Sequence, residues 1–356
     1  MTTEWTHLHA LLHRTLRHRQ ILPANQQLLV AVSGGQDSLS LIKLLLDLQP
    51  KWGWHLAIAH CDHRWRSDSE ANANHVEQLA KNWGISYYLQ TADRPPKTEA
   101  AARDWRYQTL TKIAIEYNYP YIVTGHTASD RAETLLYNLI RGTGADGLSA
   151  LTWTRSLPEL ALENPDGNPQ SKIQNPKSKI YLVRPLLEIT RSQTGQFCQE
   201  QKLPIWEDST NQDLQYARNR IRSELLPYLE TNFNPKVQQA LAQTAELLRA
   251  DVEYLELAAT DLLKRAISPT TEQKPVNLQL PVNLNRQILR EAPLSLQRRA
   301  MRQLLQQILP SAPSFDSVEK LTGLIVAPNR SQTDPFPTGA IARVEHPSIV
   351  LQIPLA

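Results

Sequence analysis

The chain has 356 residues, 41% hydrophobic and 21% charged, the composition of a soluble globular protein long enough for two domains. A formal net charge of +3 permits a nucleic-acid partner without requiring one. The two cysteines, Cys61 and Cys198, are too few for a disulfide scaffold or an all-cysteine metal site, so a reducing cytoplasm is the expected compartment, and no apolar run reaches the roughly 18 residues that a membrane span needs.

The opening stretch, Trp5 to Arg19, reads as a helix with Leu8, Leu11, Leu12 and Leu16 on one side. An apolar run from Leu28 to Val32 then passes through Ser33-Gly34-Gly35-Gln36-Asp37-Ser38 into a helical pattern from Leu39 to Leu48. A strand entering a helix through such a loop offers free backbone N–H groups and the positive end of the helix dipole to an anion. The two glycines can take positive φ and admit a phosphate close to the main chain, and the serine hydroxyls add donors. Neither Gly-x-x-x-x-Gly-Lys nor Gly-x-Gly-x-x-Gly occurs, so the usual P-loop and dinucleotide fingerprints do not apply. The plainer alternative is a Gly-Gly turn with a helix cap at Ser33 or Asp37.

Strand-like runs continue at Leu56 to His60, Ser86 to Leu89 and Tyr121 to Thr124, separated by helical patterns around Ser67 to Trp83, Thr98 to Tyr117 and Ser129 to Arg141. This alternation predicts an α/β fold, a doubly wound parallel sheet whose ligands bind at the carboxyl ends of the strands. His60-Cys61-Asp62-His63 follows one strand; His60 and Asp62 suit nucleotide contact or a helix cap better than a metal site, and Cys61 suits a small buried residue. Glu99, Arg103, Arg106 and Tyr107 share near-helical spacing, compatible with a functional face or with an exposed Glu–Arg pair. In Thr124-Gly125-His126-Thr127-Ala128-Ser129-Asp130-Arg131-Ala132-Glu133-Thr134, Asp130, Glu133 and Thr134 share a helix face near its N-terminus. Two carboxylates there can hold Mg²⁺ beside phosphates or accept a proton from an amine, although acidic residues also favour first turns for purely structural reasons.

Between 156 and 180 the chain turns to Pro, Asn, Ser, Lys and Gly, the signature of a disordered insertion. A strand at Ile180 to Val183 and a helix at Glu188 to Gln201 return it to the first domain. We place the domain boundary at 230/231. Beyond it, a long amphipathic stretch from Pro235 to Ala266, helices at Leu294 to Ile308 and Phe315 to Ile325, and a β-like tail at Ala340 to Ile353 make a smaller, mainly helical C-terminal domain.

The Ser33–Ser38 loop resembles the pyrophosphate-binding loop of the N-type ATP pyrophosphatases, the PP-loop ATPases of adenine nucleotide alpha hydrolase-like fold. Six further motifs follow in order. They are His60-Cys61-Asp62-His63, Glu99-Ala-Ala-Ala-Arg-Asp-Trp-Arg-Tyr107, Thr124 to Thr134, Arg141-Gly-Thr-Gly144 with Gly147-Leu148, Arg184-Pro-Leu-Leu187, and Glu207-Asp-Ser-Thr-Asn211 followed by Arg218-Asn-Arg-Ile-Arg222. Across roughly the first 230 residues this series resembles the tRNA(Ile)-lysidine synthase family.

The resemblance implies ATP and Mg²⁺ as cofactors, with L-lysine and the CAU-anticodon isoleucine tRNA as partners. It implies ATP binding by Ser33, Gly34, Gly35, Gln36, Asp37 and Ser38 with His60, Asp62, Gly125 and His126, and metal binding by Asp37 and Asp130. Asp37, Asp130, Glu133 and Arg103 would be catalytic, and Arg184, Asn211, Arg218, Asn219 and Arg222 would bind substrate. Arg298, Arg299, Arg302, Lys236 and Arg249 are candidates for tRNA phosphates, against the alternative of ordinary basic helix surfaces. No membrane partner is implied, and a homodimer stays open. A tRNA thiolase on the same fold, or a non-catalytic ATP-binding adaptor, are the competing readings; the first usually needs paired or persulfide cysteines, and the second would dispense with the acidic residues.

Overall fold

The computed structural model describes residues 5–157, 179–206, 213–267 and 280–353. The chain forms two compact units, Met1–Leu247 and Leu248–Ala356.

In the first unit, helix α1 (His7–Arg19) precedes strand β1 (Gln27–Ala31). Helix α2 (Gln36–Trp52), β2 (His55–Asp62), α3 (Ser69–Trp83), β3 (Ser86–Thr91), α4 (Glu99–Glu116), β4 (Tyr121–Thr124) and α5 (Ala128–Ile140) then alternate as the periodicity predicts. A short α6 (Ala145–Leu148), strands β5 (Thr154–Leu157) and β6 (Ile180–Val183), α7 (Arg191–Glu200), α8 (Ala217–Arg220), a π turn (Ile221–Leu225) and α9 (Leu226–Asn232) complete it.

The six-stranded sheet has the order β3-β2-β1-β4-β6-β5. Strands β3, β2, β1, β4 and β6 are parallel, while β5 pairs antiparallel with β6, from Thr154 opposite Val183 to Leu157 opposite Ile180. Leu28, Leu29 and Val30 of β1 are fully buried, so both faces of the central strand are covered, as a parallel sheet requires. On one face the core joins Val30 and Ile58 to Leu41, Leu44, Leu45 and Leu48 of α2; on the other, Leu29 and Ala57 meet Leu110 and Ala114 of α4.

The sheet is the parallel, doubly wound one expected, with a single antiparallel strand, β5, at its edge. At the two ends of the insertion expected over 156–180, Ser156, Leu157 and Ile180 belong to the β5–β6 pair, whose backbone groups are satisfied across the ladder. Residues 158–178 lie outside the described residues.

The long helix α10 (Val237–Ala266) carries the chain from one unit to the other. Its sequence serves two cores. Val237 and Leu241 pack with Ala132, Leu136, Ile221 and Leu226, whereas Ala259, Leu262, Leu263 and Ala266 belong to the core of the second unit. Glu246, on its first half, accepts from Arg19, Arg131 and the Trp153 indole N–H.

The second unit contains α11 (Arg286–Arg290), α12 (Leu294–Ile308) and α13 (Phe315–Gly323) with a three-stranded antiparallel sheet. The sheet order is β7-β9-β8, from β7 (Val282–Asn285), β8 (Ile341–Glu345) and β9 (Ser348–Gln352). The β-like tail is thus a hairpin completed by β7, a strand whose four-residue Val-Asn-Leu-Asn alternation is short for recognition in a sequence. Arg298 and Arg299 pair with Glu319 and Glu256.

Candidate active site

In this strand order the chain leaves β1 toward β2 and approaches β4 on the opposite side, so the crevice at the carboxyl ends of β1 and β4 is the topological switch point. The loops leaving these two strands touch there. A Cβ on Gly125 would lie 3.0 Å from the Asp37 carbonyl oxygen and 3.1 Å from the Ser38 nitrogen, so any side chain there would press on the backbone of the first turn of α2.

The first loop is stitched by its own serines. The Ser33 N–H donates to Ser38 Oγ (3.1 Å), and Ser38 Oγ donates to the Gly35 carbonyl (2.9 Å). Gly34 sits at φ +89°, and a Cβ there would meet Asn72 Oδ1 at 2.4 Å. Asn72 Nδ2, on α3, donates to the Ser33 carbonyl (3.0 Å), and the Trp206 N–H donates to the Gly34 carbonyl (3.0 Å). Neither supporting residue carries a sequence signature. Helix α2 starts at Gln36 with Gly35 as its N-cap and no side-chain cap, in contrast to the capping boxes at Thr127 and Thr190 that close α5 and α7. A 17-residue helix thereby presents uncapped N–H groups to the crevice.

The acidic residues converge on one side chain that sequence reasoning missed, Arg191. Its Nη2 and Nε lie 2.9 and 3.0 Å from Asp37 Oδ2; Nη2 lies 3.5 Å from Asp130 Oδ1, and Nη1 lies 3.8 Å from Glu133 Oε1. Arg191 is the first residue of α7, whose Thr190-x-x-Gln193 capping box was the available signal for a helix start but not for a role. Thr194, one turn on, donates to Asp37 Oδ1, and Gln36 Nε2 donates to the Arg191 carbonyl (2.7 Å) and Thr194 Oγ1 (3.1 Å). Helix α7 is therefore fastened to the loop at several points.

Asp130 accepts from the Thr127 N–H (2.7 Å) and hydroxyl (2.8 Å). Burial works to raise its carboxyl, but Arg191, His126 and these hydrogen bonds hold it below the usual carboxylate range. Glu133 behaves oppositely. It is 3% exposed, and burial, reinforced by the Asp130 charge, raises its carboxyl although Arg222 opposes the shift. Arg222 grips it with two bonds, Nε to Oε1 (2.7 Å) and Nη2 to Oε2 (2.8 Å), and its Nη2 also lies 3.6 Å from Asp130. Two neighbouring carboxyls with divergent environments are the arrangement from which separate acid–base roles arise.

On the other side of Asp130, His126 Nδ1 lies 2.9 Å from Thr124 Oγ1. Burial, with Arg184, Arg106 and Arg218 nearby, pushes its imidazole down to about 3, so the ring is neutral at physiological pH. Arg184 is buried; it donates to the Thr152 carbonyl (2.8 Å) and the Tyr107 hydroxyl (3.4 Å), and its Nε has no partner among the described residues. Burial would raise the Tyr107 phenol, but Arg184, Arg106 and Arg155 hold it below its ordinary range.

The remaining predicted residues are placed as follows. His60 is buried, donates from Nδ1 to the Val32 carbonyl (2.8 Å) and is shifted down by burial. Asp62 accepts from the Arg64 N–H (2.8 Å) and Ser69 hydroxyl (3.3 Å), closing its own loop. Arg103 is exposed, 3.8 Å from its neighbour Asp104, and does not join the carboxylates. Arg218 lies over the Tyr137 ring at 5.5 Å, and Asn219 is buried, donating to the Asp213 carbonyl (2.8 Å). Asn211 and the rest of its motif lie outside the described residues. Burial pushes the Cys61 thiol up to about 12 and raises Cys198 as well, so neither carries a reactive thiolate.

The donor set suits Mg²⁺. Asp37 and Asp130 supply hard carboxylate oxygens that reach the same Arg191 nitrogen, and Mg²⁺ in phosphate sites takes one or two carboxylates with the phosphate oxygens. No cluster of three acidic, histidine or cysteine ligands is preassembled among the described residues. Among those residues, too, no helix is long and apolar enough to cross a membrane.

A family model for the PP-loop domain matches residues 7–229. The chain is 63% identical over 352 residues to a tRNA(Ile)-lysidine synthase of Nostoc sp., covering 98% of this chain and 97% of that protein. It is 50% identical to the synthase of Synechocystis sp., with 96% of each covered. Among solved structures, the U34-tRNA thiolase NcsA from Methanococcus maripaludis with its 4Fe-4S cluster shares the fold, with a TM-score of 0.53 and 16% identity over 68% of this chain and 78% of that one. With a PP-loop domain spanning more than half its length and near full-length relatives of one kind, the chain belongs to the tRNA(Ile)-lysidine synthase family.

Proposed function

We propose that the protein ligates lysine to C2 of the wobble cytidine of the CAU-anticodon isoleucine tRNA at the expense of ATP. The C2 oxygen attacks the α-phosphorus of ATP and pyrophosphate leaves, giving an adenylated cytidine. The ε-amine of lysine then attacks C2, and AMP departs with that oxygen.

The observation that carries this reading is the convergence of Asp37, Asp130 and Glu133 on Arg191 beside the uncapped start of α2. The α2 N–H groups suit the phosphates of ATP, since main-chain donors and a helix dipole favour an anion at no cost in reorganisation. Asp37 and Asp130 are the residues that would hold Mg²⁺, which when bound offsets phosphate charge during departure of pyrophosphate. Arg191 keeps both carboxylates aimed into the crevice. Glu133, with its raised carboxyl, is the acceptor for the proton that the lysine ammonium must lose before it attacks. The guanidiniums of Arg184 and Arg106 beside neutral His126 favour polyphosphate or RNA phosphate on that side. Arg103, Arg218 and Arg222 would contact the RNA in this reading, Asn219 is a buried tie in the segment of the last two, and a substrate role for Asn211 is part of the same proposal.

The test supplies ATP, Mg²⁺, radiolabelled lysine and the CAU-anticodon tRNA transcript to the purified protein. Lysine should enter the RNA with release of AMP and pyrophosphate, and a transcript whose wobble cytidine is replaced should stay unlabelled. Equal labelling of both transcripts contradicts the assignment.

A further inference from the structure

Helix α5 carries Glu133, then Tyr137 one turn on, and ends at Ile140. Past Tyr137 it borders a cavity of about 680 Å³, lined also by Ile221, Leu225 and Tyr228 from the π turn and α9, a volume within the range of small-ligand sites. The walls are apolar yet open to solvent: Ile140 is 68% and Tyr228 57% exposed, burial that folding alone leaves undone. The rim is basic. Arg141 donates to the Tyr137 hydroxyl (2.8 Å) with its guanidinium over that ring, and Arg220 donates to the Leu214 and Gln215 carbonyls (2.7 and 3.1 Å). Both arginines are thus held in place while their residues stay exposed. Glu224 also lines the cavity; its carboxylate repels a phosphate but accepts a hydrogen bond from a base amino group.

Arg222, which grips Glu133, and Leu225, which lines the cavity, share one π turn, a distortion often found at functional sites. From Glu133 to Ile140 the helix rises about 10 Å. That is too far for the reacting nucleotide and within reach of a neighbour.

We propose that this cavity receives the unstacked base of a nucleotide adjacent to the one modified, stacked on Tyr228, with its phosphates on Arg141 and Arg220. The proposal rests on the reading that the substrate is an RNA. An aromatic wall with flanking arginines is the chemistry of single-stranded nucleic-acid recognition, in which bases stack and charges hold the backbone.

The test measures binding of the full-length protein to two RNAs, a synthetic anticodon stem-loop with a CAU loop and a blunt duplex of equal length. Tyr228→Ala should weaken stem-loop binding about tenfold or more and leave duplex binding unchanged. Tyr228→Phe should restore affinity to within about twofold, because the ring and not the hydroxyl does the stacking. Arg141→Ala should lower the salt slope for the stem-loop by about one phosphate contact. Since both residues are exposed, circular dichroism and ATP binding should match wild type. Unchanged stem-loop affinity in Tyr228→Ala, or equal weakening on both RNAs, overturns the proposal alone. Failure of the wild-type protein to bind the stem-loop overturns the RNA reading and this proposal with it.

Discussion

Arg191 and Asp37 form a two-point ion pair in which both Nη2 and Nε approach a single carboxylate oxygen, at 2.9 and 3.0 Å. The same guanidinium reaches Asp130 and Glu133, so one cation offsets three acidic groups drawn from two loop–helix junctions. Arg191→Met keeps the length of the side chain and removes the charge, leaving those carboxylates to repel one another. Turnover should fall about 100-fold or more. Arg191→Lys should recover part of it, because a point charge replaces a fork that serves several partners. Steady-state lysine incorporation checks this; a rate for Arg191→Met within about twofold of wild type rules out a central role for the guanidinium.

The close approach at the crevice predicts the effect of the smallest substitutions. Gly34→Ala must accept a positive φ and a methyl group 2.4 Å from Asn72 Oδ1, at a cost of about 1–3 kcal/mol in stability. Gly125→Ala drives a methyl against the Asp37 backbone. Both should lose ATP affinity in isothermal titration, Gly34→Ala with a lower melting temperature as well. Wild-type affinity in Gly125→Ala would mean that spacing between the two loops is irrelevant to the nucleotide.

Glu133 sets a pH dependence. Burial raises its carboxyl above the ordinary glutamate value of 4.5, and a proton acceptor must be ionised, so activity should fall as pH drops through that raised value. The acid limb of the single-turnover lysine transfer should therefore lie above pH 4.5, and Glu133→Gln should abolish transfer without altering the circular-dichroism spectrum. For stability the sign is the reverse: a carboxyl raised on folding favours the native state below the unfolded value, and this contribution is lost as pH rises through the folded one. Glu133→Gln should accordingly be no less stable than wild type at neutral pH. An acid limb unmoved in position, with transfer intact in the variant, removes Glu133 from the chemistry.

Away from the crevice, Glu246 binds fully buried Arg131 (2.9 Å), Arg19 (2.8 Å) and the Trp153 indole (2.9 Å). Burial tends to raise its carboxyl, but Arg131, Trp153 and Arg19 outweigh it and hold the group below its usual value. A depressed carboxyl contributes stability above the unfolded value of 4.5 that is lost as pH falls through the folded value. Glu246→Gln should cost about 2–3 kcal/mol at neutral pH and flatten the stability profile on the acid side. Chemical denaturation at pH 7 and pH 4 checks both; equal losses at the two values contradict the ion-pair account.

The sequence made much of this architecture legible and left specific gaps. Strong periodicities announced β1, α2 and α5, because buried central strands and their covering helices need continuous or 3.6-spaced apolar residues. The β1 loop and the Asp130 segment stood out for the same reason, each being a strand end followed by a polar helix start. Arg191 did not, since a lone arginine after a helix cap reads as a surface residue, and only three-dimensional convergence reveals its partners. Asn72 was hidden in the same way inside an amphipathic helix. Strand β5 was masked by a polar, four-residue segment at a sheet edge, where one neighbour suffices and the apolar pattern is weak. Arg222 reads as a nucleic-acid contact in a basic run, and its two-bond grip on Glu133 is a feature that residue spacing does not encode.

The most direct measurement follows the α-phosphate of ATP while lysine is withheld. With α-labelled ATP, Mg²⁺ and the CAU-anticodon tRNA, label should accumulate on the RNA as adenylated cytidine, and should leave as AMP when lysine is added. Asp37→Asn and Asp130→Asn should show no labelled RNA. Label that appears on free lysine, or never reaches the RNA although lysine is incorporated, would contradict activation of the cytidine at this crevice.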